Sequence, residues 1–351
     1  MCSTLLLRHR WALAALSLLV AGVAGCGDSS DGSEPKPAGT GQDMGLCPVP
    51  GPLPFQTTSK AFESPDAKDW EADNPYVTHW GLDFLGTASP QQFSGAMTRA
   101  TGPNLLAQKG IVDEWVSFWS GDLTGAWLEL GRVKTDALGG FAVTLSGDQQ
   151  FPIGTSTVYS ILEGDGTCAA HGVFVWPAAT QVIVTDIDGT LTLDDNEMLT
   201  QIMQDPDYVP KANQGASEMV NAWAGKGYQL AYLSARPHSL SGISRTWLQG
   251  IDAPFGPVQT SESLVNGESA RAYKAEFLKH ITTDLGWEIV AVYGNADSDI
   301  QAYEDAGIPK DVTFIIGELA GDSGTVAIAN NDYTSHISSY VDQQPDAQKT
   351  F

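Results

Sequence analysis

Two aspartates one residue apart, Asp186 and Asp188, are followed by Gly189-Thr190 and preceded by the apolar run 181–185, QVIVT. Such a run reads as a buried strand. Its end would aim both carboxylates into one crevice, where they repel each other unless a cation lies between them. Gly189 lets the chain turn sharply there. Three more polar groups stand at matching places. Ser234-Ala235-Arg236 follows the run 229–233, QLAYL. Arg236 offers a fork suited to phosphate, whereas Ser234 is equally at home as a helix cap. Lys274, with Lys279 as a competitor, lies in a helical pattern and would offset charge on Asp186 and on a phosphate, whose oxygens it would help to hold. Gly294-Asn295-Ala296-Asp297-Ser298-Asp299 follows 288–293, EIVAVY. Asn295 and Asp299 add hard oxygen donors for a divalent cation, and Asp297 reads as an acid in a helix first turn.

The elements that must position these groups alternate. Strands are predicted at 181–185, 229–233, 288–293 and 312–316, and helices at 213–225, 240–248, 271–285 and 298–306. Repeated strand–helix units imply an α/β fold, a doubly wound parallel sheet between helices. In such sheets the chemistry lies beyond the carboxyl ends of the strands, which is where every motif above falls. Upstream, 46–180 is different. Short aromatic and β-branched runs at 114–119, 126–130, 140–145, 156–162 and 171–176 are punctuated by Gly and Pro, with an Asp165-Gly166 turn. This pattern predicts an all-β, immunoglobulin-like sandwich. Trp115, Trp119, Trp127 and Trp176 read as its core more readily than as a carbohydrate platform.

The string DIDGT after a strand resembles the haloacid dehalogenase superfamily of phosphohydrolases. The resemblance implies that Asp186 attacks phosphorus, that Asp188 is the general acid and base, and that Ser234 donates to the phosphoryl group. It also implies Mg²⁺ on Asp186, the Asp188 carbonyl, Asn295 and Asp299. Over about 182–318 the strings DIDGTLT, NQGASEMVNAWAGKGYQLAYLSAR, FGPVQTSES, YKAEFL and GNADSD are similar to the lipin-type (Lipin/Ned/Smp) phosphatidate phosphatase domain. The lysine of YKAEFL favours Lys274 over Lys279. The fold implied for 181–351 is Rossmann-like and haloacid dehalogenase-like. The stretch 151–177 looks like the segment before the same domain in membrane-associated phosphatidylinositol transfer proteins, whose domains lack the nucleophile. This chain keeps both aspartates, which favours an enzyme. Departures are Ala296, where lipins have Arg, and no polybasic docking stretch. The expected substrate is phosphatidate or a related lipid phosphate. The alternatives are a soluble periplasmic phosphomonoester, or a non-catalytic lipid-binding module.

Residues 1–25 read as a signal peptide, with Arg8 and Arg10 before a short apolar run. The ending Val23-Ala24-Gly25-Cys26 resembles a bacterial lipoprotein box, implying a lipid on Cys26. Residues 26–45 follow as a Gly/Ser/Pro-rich tether. The expected location is extracytoplasmic, held to a bacterial membrane by that lipid. Of four cysteines, Cys47 and Cys168 then remain, a disulfide candidate in an oxidising compartment or else two buried thiols. The 351 residues carry 42 Asp and Glu against 18 Lys and Arg, a net charge of −24. That excess excludes nucleic acid as a partner and argues against electrostatic docking on an anionic membrane. Between 209 and 280, however, seven basic residues outnumber five acidic ones, a locally basic rim where a phosphate would enter.

Overall fold

A computed structural model describes residues 61–65, 67–68, 76–100, 104–121 and 127–348. The predicted signal, the tether, Cys26 and Cys47 lie outside these residues. Eleven strands come first: β1 (Tyr76–Val77), β2 (Trp80–Gly81), β3 (Phe84–Leu85), β4 (Gln91–Ala96), β5 (Thr98–Ala100), β6 (Gln108–Gly110), β7 (Trp115–Gly121), β8 (Trp127–Lys134), β9 (Gly140–Leu145), β10 (Gly154–Leu162) and β11 (Cys168–Val175). They form one five-stranded sheet, β3-β11-β10-β7-β8, and two three-stranded sheets, β2-β4-β9 and β1-β5-β6. Apolar residues alternate inward from the first two sheets. Phe93, Phe118, Phe141, Val158 and Val173 meet in one buried cluster. Cys168 is disulfide-bonded, to a partner outside the described residues. Trp176 is fully buried, but in the core of the following sheet, where it packs on Trp287 at 4.9 Å, while Trp115, Trp119 and Trp127 are half-buried and outside the main sandwich core.

The second half is mixed α/β. Strands β12 (Gln181–Asp186), β13 (Gln229–Pro237), β14 (Val258–Ser261), β15 (Glu288–Gly294), β16 (Thr313–Ile315) and β17 (Val326–Ala327) form one sheet of order β14-β13-β12-β15-β16-β17. Every pairing in it is parallel. The strands bury both faces, as a parallel sheet requires. Ile183, Leu230, Tyr232 and Tyr293 enter one core with α2 (Ala216–Gly225) and α3 (Ser241–Gly250). Val182, Val184, Leu233 and Val292 enter the opposite core with α4 (Gly267–Lys279) and α5 (Asp297–Asp305). In this half, α1 (Asn196–Met203) and α6 (Tyr333–Ser339) were not predicted, and neither were β14 and β17. The predicted helix 271–285 begins earlier, where Asn266 and Ser269 form a capping box, and its last part, His280–Asp284, is a π-helical turn. Among the described residues no helix is long and apolar enough to cross a membrane.

Counted in chain order, the sheet runs 3-2-1-4-5-6, so its direction reverses beside β12. Such a reversal, here between β12 and β15, is where an open α/β sheet binds its ligand, beyond the carboxyl ends of the strands.

Candidate active site

Asp186 is the last residue of β12, and the chain turns at once. Gly189 has φ +69°, and its amide donates to the Thr192 hydroxyl at 2.9 Å. A Cβ on Gly189 would lie 2.0 Å from Asn295 Nδ2, so only glycine lets the 294–296 loop close over this turn. Asn213 Nδ2 donates to the carbonyls of Thr190 and Thr192, and the Tyr333 hydroxyl donates to the first of these. These bonds brace the loop that carries Asp188 and Thr190.

Each aspartate of the pair has its own buried cation. Lys274 Nζ, delivered by α4, lies 2.6 Å from Asp186 Oδ1 and 2.6 Å from Asp299 Oδ1. Arg236, delivered by β13, reaches Asp188 instead. Its Nη2 is 2.6 Å from Oδ1, and its Nε is 3.1 Å from Oδ1 and 2.9 Å from Oδ2. Ser234 and Arg236 are two apart on one strand and share a face. The Ser234 hydroxyl donates to Asp188 Oδ2 at 3.0 Å. Arg236 Nη1 donates to Ser244 at 2.9 Å.

Asp299 is completely buried and both its oxygens are engaged. Oδ1 accepts from Lys274, and Oδ2 accepts the amides of Asn295 and Ala296 at 3.0 Å each. It caps α5 from the third position of that helix and fixes the 294–296 loop. The Thr190 hydroxyl bridges Asp186 Oδ2, at 3.1 Å, and Asn295 Oδ1, at 3.2 Å. Lys274, Asp186, Asp299, Thr190 and Asn295 thus form one network. Asp188, Ser234, Arg236 and Ser244 form another beside it.

Burial pushes the Asp186 carboxyl up from its ordinary range, against the pull of Lys274, with the charges of Asp299 and Asp188 adding to the rise. Burial alone would discharge Lys274, but Asp186 and Asp299 outweigh it and raise its pKa, keeping it an ammonium. Asp195 was not singled out in the sequence. It is surface-exposed, 3.5 Å from Asn295 Nδ2, and its carboxyl is raised by partial desolvation and by the Asp188 charge. Thr190 and Ser244 were missed as well. Thr190 sits inside the DIDGT string. Ser244 could be found only by knowing that α3 folds back over β13.

Among the described residues no three His, Cys, Asp or Glu side chains converge as a metal cluster. The donors that do converge are a carboxylate oxygen of Asp186 and an amide oxygen of Asn295, held to one hydroxyl. An oxygen-only set with net negative charge fits a hard divalent cation such as Mg²⁺ and not a soft one.

Residues 183–317 match the family model described as PITM 1-3, LNS2 domain. The chain is 27% identical over 194 residues to the human membrane-associated phosphatidylinositol transfer protein 3, covering 55% of this chain and 19% of that protein. It is 25% identical over 214 residues to the Drosophila melanogaster protein retinal degeneration B, covering 61% of this chain and 16% of that one. The match therefore spans less than a fifth of these relatives' length. Among solved structures, an apo phosphoserine phosphatase aligns at 14% identity and TM-score 0.32, over 45% of this chain and 98% of that one.

Proposed function

We propose that this protein hydrolyses phosphomonoesters through a phosphoaspartyl intermediate, with phosphatidate or a related lipid phosphate as substrate. The observation that carries the reading is the pair Asp186 and Asp188 at the sheet's switch point, each paired with a separate buried cation. In the first step an Asp186 oxygen bonds to phosphorus while the bond from phosphorus to the ester oxygen breaks. Asp188, in its protonated form, hands that proton to the departing alkoxide. In the second step the Asp188 carboxylate takes a proton from water. The water oxygen bonds to phosphorus, the Asp186–phosphorus bond breaks, and inorganic phosphate leaves. Lys274 holds Asp186 on line. Mg²⁺ would be held by Asp186, the Asp188 carbonyl and Asn295, with Asp299 behind them, and would supply charge neutralisation for the nucleophile and the phosphate.

The lipid part of the reading draws on the relatives, whose names speak of phosphatidylinositol transfer, and on the basic balance of 209–280. It includes an immunoglobulin-like arrangement of the upstream strands, a lipid on Cys26 that holds the chain outside the cytoplasm, and a Cys47–Cys168 disulfide. The same relatives favour one other reading, a lipid-binding module without turnover. Phosphate release from phosphatidate vesicles and from a panel of soluble phosphomonoesters, with and without Mg²⁺, separates them. Mg²⁺-dependent release from vesicles is expected. Release from soluble esters alone would discard the lipid substrate. Vesicle binding with no release from anything would discard the enzyme.

A further inference from the structure

Arg236 was expected to clamp the substrate phosphate, and its surroundings argue for another task. Its side chain is 1% exposed, while that of Asp188 is 15% exposed. Nε and Nη2 are spent on the two oxygens of Asp188, and Nη1 on Ser244. Ser244 in turn donates to the Leu240 carbonyl at 2.9 Å and so ties the guanidinium to the start of α3. Three of its five N–H groups have these partners, and at this burial the guanidinium presents almost no surface to an entering phosphate. Lys274 is likewise buried, so the two cations of the site are committed to carboxylates and not turned to solvent.

We infer that Arg236 is a positioning residue. It acts through Asp188, holding both carboxylate oxygens in place, and it does not bind the phosphoryl oxygens. A bidentate guanidinium restricts a carboxylate in distance and in plane, which a single cation cannot do. The Ser234 hydroxyl completes the cradle from the other side. This inference rests on the proposed hydrolase reading, because it assigns the proton shuttle to Asp188.

The two roles give different kinetics. If Arg236 aims a proton donor, its loss harms esters whose alcohol needs a proton, and spares those that leave unaided. If it grips phosphate, its loss harms every ester alike and weakens inhibition by inorganic phosphate, by about tenfold or more for a charged hydrogen bond. The test compares the full-length chain with Arg236→Ala, Arg236→Lys and Ser244→Ala on p-nitrophenyl phosphate and on glycerol 3-phosphate. Inorganic phosphate is the inhibitor, and thermal melts check that each variant is folded. Arg236→Ala is expected to lower kcat on glycerol 3-phosphate by about 10²-fold, the lower end of a general acid's contribution, with a much smaller loss on p-nitrophenyl phosphate. The inhibition constant for phosphate should not move. Arg236→Lys should recover little, since an ammonium cannot make the fork. Ser244→Ala, which removes only the outer brace, should show a weaker form of the same pattern and serves if Arg236→Ala does not fold. Combining Arg236→Ala with Asp188→Asn should be no worse than Asp188→Asn alone. Equal losses on both esters with a raised phosphate inhibition constant would overturn the assignment while leaving the hydrolase intact. No turnover by the parent chain on any ester would overturn both.

Discussion

Replacing Lys274 by Met should be among the most destabilising single changes in the chain. The side chain is 5% exposed and its ammonium lies 2.6 Å from both Asp186 and Asp299, which are 3% and 0% exposed. Removing one partner of a buried ion pair leaves an uncompensated charge, at a cost of about 3–5 kcal/mol. The two carboxylates do not share that cost equally. Asp299 keeps two backbone amides, whereas Asp186 keeps only the Thr190 hydroxyl. Most of the penalty therefore falls on Asp186, whose carboxyl burial already raises. The sign of the pH dependence follows. Without the cation, the Asp186 carboxyl, already raised by burial, holds its proton in the folded chain at a pH where the unfolded chain has released it. The folded state then binds more protons, so stability rises as pH falls and the deficit of the variant shrinks toward pH ~4. Urea unfolding of parent and variant at neutral pH and near pH 5 reads both effects. Adding Asp186→Asn should restore about 1–3 kcal/mol, because the carboxylate that bears most of the penalty is removed. A loss under about 1 kcal/mol that does not change with pH would refute the reasoning, since the charges would then be solvated and not buried together.

Asp186→Asn should keep the fold and lower phosphate release by roughly 10³-fold or more, as expected for a nucleophile; unchanged release would remove the phosphoaspartyl route. Gly189→Ala should cost about 1–3 kcal/mol for its left-handed backbone alone, and should displace Asn295 and weaken Mg²⁺ binding; calorimetric titration of Mg²⁺ into the variant checks the second effect. His171 is completely buried, and burial lowers its pKa to about 4, so the unfolded chain binds its proton first as pH falls. Stability should drop between pH ~6.5 and ~4 by up to about 3 kcal/mol from this residue, with His79 and His336 adding in the same direction; denaturant midpoints that stay level across that window would contradict it.

The strands that carry chemistry were legible because a parallel sheet buries both faces, so β12, β13 and β15 announce themselves as continuous apolar runs that end in polar residues. The residue types at those ends were legible too. Their pairing was not. Arg236 and Asp188 are 48 positions apart, and whether a guanidinium at a strand end faces a substrate or a neighbouring carboxylate depends on which strand lies alongside. Asp299 was read as a cation ligand, but its position three residues into α5 already fits a cap, and the structure commits both its oxygens. Asp195 was hidden in an acidic run that reads as solvated surface. Helix α1 was missed because Met198 and Ile202 bury themselves against Leu105, Leu240 and Ile243, residues from far along the chain in both directions.

The change in periodicity near residue 180 marks two kinds of secondary structure, yet contacts cross it at the points that matter for the site. Asp83, between β2 and β3, accepts two bonds from Arg245 Nη2, at 2.7 and 2.9 Å, and the amides of Gly172 and Val258. It is 2% exposed, so neither it nor Arg245 could be removed without stranding a buried charge. Arg245 neighbours Ser244, which braces the guanidinium that holds Asp188. One turn of α3 therefore ties the upstream strands to Asp188 through two adjacent side chains. Leu105, next to β6, donates its amide to the Ile202 carbonyl and anchors α1, the helix that begins beside Asp195. The β-rich segment thus reaches, through Asp83, the Arg245 side chain next to the serine that braces Arg236, and Arg236 in turn holds Asp188.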